Sequence, residues 1–63
     1  EFGQLGTCGF QYMMGEIYRR LGNLEKALEL YMRSVANKEI RQKPQVERLA
    51  REQLSALKEA LKR

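Results

Sequence analysis

Between Leu24 and Val35 the chain is apolar around more than half of a helix, and that width limits the folds open to it. With about 100° between successive residues, Leu24, Ala27, Leu28, Leu30, Tyr31, Met32 and Val35, with small Ser34 among them, cover roughly 200°. Glu25, Lys26, Glu29 and Arg33 fill the remainder. A helix resting on a single core needs an apolar stripe of only about 100° or slightly more. An arc of twice that width predicts a helix with neighbours on two flanks, so the chain is expected to be all-α with this helix in the middle.

The flanking segments supply the neighbours. From about Cys8 to Leu21, Phe10, Met13, Met14, Ile17, Tyr18 and Leu21 fall at i, i+3, i+4, i+7, i+8 and i+11, one face of a helix. Thr7 reads as its N-cap, and residues 1–7, with two glycines, as a flexible segment. Gly22 ends it in the left-handed conformation glycine tolerates, with Arg19 and Arg20 beside the negative end of the helix dipole. Asn23 caps the middle helix, predicted over residues 24–37. A link this short predicts an antiparallel helical hairpin.

A charged break from about Lys38 to Lys43 leads to Pro44, placed where a helix can start without missing its N–H. The third helix is predicted over residues 45–62, longer than the other two. Its apolar face is Val46, Leu49, Ala50, Leu54, Leu57 and Leu61, part of which should overhang the hairpin. Glu47/Arg51, Arg48/Glu52 and Glu59/Arg63 are i,i+4 pairs of opposite charge, each stabilising by a few tenths of a kcal/mol. Met14, Ile17, Tyr18, Leu24, Leu28, Tyr31, Val35, Leu49, Leu57 and Leu61 are the expected core, with the three methionines as core filling.

Sixty-three residues make one domain at most, and a chain this short buries only about 60% of its unfolded surface. With one cysteine and no histidine it can build neither an internal disulfide nor an ordinary zinc site, and no cofactor is expected. Association is the remaining stabilising device. That predicts a homo-oligomer, a dimer through apolar helix faces, or a piece of a larger protein that begins upstream. A free cysteine fits a cytoplasmic setting, and no apolar run approaches a membrane span.

Gly15, Tyr18, Gly22, Leu24, Ala27 and Tyr31, with Ser34 at the last small position, resemble one tetratricopeptide repeat, the helix-turn-helix unit of 34 residues. Gln11 and Glu39 depart from its usual aromatic and proline, and the third helix does not continue the pattern. The resemblance covers about residues 8–41 and implies a tetratricopeptide-like hairpin with a long C-terminal capping helix. It places Gly15 under Ala27 and the Tyr31 ring. It also implies peptide binding through outward positions of the first helix, here Tyr12, Glu16, Arg19 and Arg20. The run from Tyr12 to Gly22, then Glu25 to Leu28 and Lys38 to Arg41, is similar to the C-terminal part of an uncharacterised bacterial family. Members of that family carry a cysteine-containing region ahead of a helical repeat region. This implies a bacterial cytoplasmic origin and brings no known activity.

Tyr12 is a large aromatic lying off the apolar face, and aromatics and arginines are favoured at binding hot spots. Cys8 sits near a helix start but has no histidine base and no resolving cysteine, so it reads as incidental or buried. Arg48, Arg51, Lys58 and Lys62 share their face with Glu47, Glu52 and Glu59, a mixture that argues against nucleic-acid binding. No nucleophile elbow, phosphate loop or carboxylate pair is present, so no catalysis is expected. The sequence therefore points to a protein-protein interaction module for a protein or peptide partner, with structural homo-oligomerisation as the alternative and a nucleic-acid-binding helical domain as a weaker one.

Overall fold

The computed structural model describes residues 2–62, with side chains from Thr7 onward. The chain is all-helical: α1 spans Phe2–Arg20, α2 Leu24–Ala36 and α3 Pro44–Lys62, with a 3-10 turn at Lys38–Gln42 between the last two. The middle helix α2 packs against α1 and α3, which touch each other only slightly. The wide apolar arc is thus matched by two flanking helices.

The helix ends follow local chemistry. Gly22 adopts φ +88°. Its N–H donates to the Arg19 carbonyl at 3.1 Å, while Asn23 N–H donates to the Tyr18 carbonyl at 2.9 Å. This is the paired pattern by which a left-handed glycine satisfies the last carbonyls of a helix. Asn23 Oδ1 then accepts from Lys26 N–H at 3.3 Å, capping α2. Pro44 opens α3 at the position where its absent N–H has no helical partner to lose.

The start of α1 differs from expectation. The helix runs unbroken from Phe2, so Thr7 is an interior residue and not an N-cap, and residues 2–7 belong to α1. Glu1 lies outside the described residues. The Thr7 N–H donates to Glu39 Oε1 at 3.2 Å, which ties α1 to the 3-10 turn. With 19 residues each, α1 and α3 are equal in length, so α3 is not the longest helix.

The buried residues among those described are Cys8, Gly9, Gly15, Ala27, Tyr31, Ser34, Ile40, Ala50 and Leu57. Leu24, Leu28 and Leu54, with Tyr12 and Tyr18, pack around Ala27, Tyr31 and Leu57. α1 faces α2 with Cys8, Gln11, Tyr12 and Gly15. An added Cβ on Gly15 would lie 2.9 Å from Cδ1 and Cε1 of the Tyr31 ring. A glycine in mid-helix costs about 1 kcal/mol relative to alanine, and close approach to a large buried ring is what offsets it here. Two further contacts join the pair: Ser34 Oγ donates to the Cys8 carbonyl at 2.7 Å, and Asn37 Nδ2 donates to Gln11 Oε1 at 3.4 Å.

Three residues expected in the core lie outside it: Ile17 is 46% exposed, Leu49 45% and Leu61 41%. Met13 and Met32 are exposed too, so they do not fill the core. The cause is geometric. Since α1 has only α2 as a substantial neighbour, it can bury one face, and the glycine face fits Tyr31. On α3, Ala50 and Leu57 reach the core, whereas Leu49 lies about 100° round the helix from Ala50, and Leu61, on the same line as Ala50, falls in the last turn. Among the expected ion pairs, Glu47–Arg51 closes at 3.0 Å. Arg48–Glu52 does not close. Glu59–Arg63 involves Arg63, which lies outside the described residues.

Candidate functional site

Three of the four surface residues singled out on α1, Tyr12, Glu16 and Arg19, gather around Tyr31. The Tyr31 hydroxyl donates to Glu16 Oε1 at 2.7 Å. The other oxygen of the same carboxylate, Oε2, accepts from Arg19 Nη2 at 2.9 Å. The Tyr12 ring lies 5.7 Å from the Tyr31 ring at 47°, a tilted aromatic pair of the favoured kind. Tyr12, Glu16 and Arg19 are half-buried, while Arg20 is exposed and outside this cluster.

The cluster fixes the protonation of its members. Burial, the largest influence on Glu16, would raise its pKa. Hydrogen bonds from Arg19 and Tyr31 and the charges of Arg19 and Arg20 outweigh burial and hold the carboxyl below its ordinary value. Burial first, then the Glu16 hydrogen bond, pushes the Tyr31 phenol up to about 12. Burial and the adjacent Glu16 charge also raise Tyr12, and the Glu16 hydrogen bond raises the already high Arg19. A general base works best with a pKa near the working pH. Glu16 is moved the other way and both of its oxygens are engaged, so the arrangement is a structural clamp across α1 and α2.

This clamp makes stability sensitive to alkali. Tyr31 keeps its proton in the folded state up to about pH 12, whereas an unfolded tyrosine releases it near pH 10. The stabilisation is complete below the unfolded value and is lost as pH rises from about 10 towards 12, by roughly 2–3 kcal/mol. Lysine titration contributes to the same limb, and Tyr31→Phe isolates the tyrosine share. Urea midpoints measured between pH 9 and 11.5 should fall less steeply for Tyr31→Phe than for the native chain. Parallel curves would show that Tyr31 ionisation is not coupled to folding.

The opposite side of α1 carries a different surface. Phe10, Met13, Ile17 and Leu21 are exposed by 41, 37, 46 and 74%. Their spacing of i, i+3, i+7 and i+11 sets them in one line along the helix. Four residues of the expected apolar face of α1 therefore point outward, while Met14 and Tyr18 are half-buried and Tyr18 packs against the core. The accessible surface of the chain is 4700 Å², against about 4200 Å² for a compact protein of its mass. No described helix is long and apolar enough to cross a membrane. The sequence pattern places this stripe correctly on one face; of its members, Ile17, expected in the core, and Met13, expected as core filling, are both exposed. The signal for the alternative was Gly15, since a mid-helix glycine marks the side of close approach.

Cys8 is fully buried, with its backbone carbonyl taken by Ser34. Among the described residues no three His, Cys, Asp or Glu side chains gather to hold a metal.

A family described as uncharacterized proteins conserved in bacteria, DUF2225, matches residues 2–57. Neither a curated protein nor a solved structure matches the chain.

Proposed function

We propose that this chain, which belongs to the bacterial DUF2225 family, is a protein-protein interaction module with no catalytic activity of its own. The observation that carries this is the outward stripe of Met13, Ile17 and Leu21 on α1, with Phe10 at one end. A line of apolar residues at helical spacing fits the groove-and-ridge surface of another helix. Contiguous exposed apolar surface of this kind marks an interaction site more often than it marks an incidental feature.

A tetratricopeptide-like arrangement is the finer form of this reading, supported by the contact of Gly15 with the Tyr31 ring. Of the surface that resemblance implies, Tyr12, Glu16 and Arg19 make their contacts inside the hairpin, while Arg20 is exposed. That favours the stripe as the main contact, with Arg20 available to a partner. Homodimerisation through the same stripe is the second reading. It is favoured by the absence of charge among Phe10, Met13, Ile17 and Leu21, which lets two copies meet without like-charge repulsion.

The test is the double substitution Ile17→Glu, Leu21→Glu. Both positions are well exposed, so stability should change by only about 0.5 kcal/mol. Sedimentation and cross-linked capture from a bacterial extract, each run with native and substituted chains, report self-association and partner binding. Loss of either association in the substituted chain is the expected result. Associations that survive the substitution intact would remove the stripe from the proposal.

A further inference from the structure

A second surface lies at the junction of α2, the 3-10 turn and α3, away from the α1 stripe. It is a cleft of about 450 Å³ with Val35, Ala36 and Ile40 among its apolar lining. Lys38, Arg41 and Arg51 line it too, and its one carboxylate is Glu47. Glu47 is committed to Arg51, accepting from Nη2 at 3.0 Å and from Nε at 3.2 Å. Glu39, the only acid within the turn, points elsewhere, with its Oε1 on the Thr7 N–H. Lys38 and Arg41 are therefore left with no ion pair among the described residues. A segment of only five residues thus places two uncompensated cations at the edge of an apolar floor.

The walls are also fixed in advance. Asn37 Oδ1 caps the turn through Glu39 N–H at 2.9 Å, and Ile40 N–H and Lys43 N–H close it onto Asn37 and Ile40 carbonyls at 3.0 Å each. Asn37 Nδ2 is held by Gln11, and Ile40 is buried. A cleft that need not reorganise loses less on binding.

We propose that this cleft binds an acidic peptide segment, with one apolar side chain on Val35 and Ile40 and carboxylates meeting Lys38 and Arg41. The chemistry favours peptide over nucleic acid. No aromatic lines the cleft to stack a base, and the floor is aliphatic. Its volume suits a few side chains and not a groove tracking a backbone.

The experiment measures binding of a labelled peptide of four glutamates around one leucine to the whole chain at low salt. Lys38→Glu, Arg41→Glu should weaken binding at least about tenfold, since like charge would replace attraction. Replacing the peptide's leucine by serine should also weaken it. Both substituted positions are exposed, and thermal melting verifies that the fold persists; Lys38→Gln, Arg41→Gln replaces the reversal if it does not. Ile17→Glu, Leu21→Glu should leave peptide binding unchanged, which separates this surface from the α1 stripe. Absent binding, binding indifferent to Lys38 and Arg41, or an oligothymidylate of equal charge binding as tightly would each overturn the proposal.

Discussion

Gly15→Val is expected to remove about 3 kcal/mol, a third or more of the chain's stability. The added Cβ would fall 2.9 Å from two atoms of the Tyr31 ring, and the γ-methyls bring further overlap. The ring has little room to yield. It is fully buried, its hydroxyl is held by Glu16 at 2.7 Å, and Tyr12 packs on it. Overpacking a tight contact costs typically 1–3 kcal/mol, and we expect about 3 here. A domain of this length has roughly 3–9 kcal/mol of stability in total. The melting temperature should therefore fall by about 12–24 °C if a transition survives. Gly15→Ala gives the sign test. Helix propensity alone predicts stabilisation by about 1 kcal/mol, whereas contact with Tyr31 predicts a loss. Thermal melts followed by circular dichroism decide it, and an alanine variant more stable than the native chain would place α1 further from α2 than the structure has it.

That contact also explains what could be read from the sequence and what could not. Gly22, Asn23 and Pro44 were legible because each acts within one turn of itself: a left-handed residue, a side-chain cap, a missing N–H. The central position of α2 was legible because a wide apolar arc leaves few alternatives. The inward face of α1 was legible only in part: Gly15 lies under the Tyr31 ring, as expected, while the apolar periodicity points to the other side. Its strongest periodic signal, Phe10, Met13, Ile17 and Leu21, measures where apolar residues gather and not which neighbour is present to cover them. With α2 as its one substantial neighbour, α1 settles on the side where backbone can approach Tyr31, leaving the stripe outside. Ile40 was hidden for a different reason. It is a single apolar residue in a charged stretch, too short for any period, and its burial depends on the 3-10 turn that Asn37 caps. At the candidate site, Tyr12 was legible as an aromatic off the main apolar face. Its partner Tyr31 and the clamp through Glu16 depended on a rotation of α1 that pattern alone does not fix.

Tyr31→Ala should be at least as damaging as Gly15→Val, and the two should not add. Removing a buried aromatic ring costs about 3–5 kcal/mol through lost burial and the cavity left behind. Here the ring also supplies the hydroxyl on Glu16 and one half of the pair with Tyr12. Arg19 still holds the other oxygen of Glu16, so the carboxylate stays paired and the loss is chiefly one of packing. In the Gly15→Val background, however, Tyr31→Ala removes the atoms with which the new side chain collides. The valine would then enter the space that the ring vacates. The double variant should be more stable than the sum of the two single losses predicts, by about 1–3 kcal/mol, the range found for residues in direct contact. Urea unfolding of all four chains, in a stabilising osmolyte so that each shows a folded baseline, measures this coupling. Simple additivity would mean that the Tyr31 ring is not what fixes position 15 as glycine. The close approach of α1 and α2, and with it the outward direction of the apolar stripe, would then need another cause.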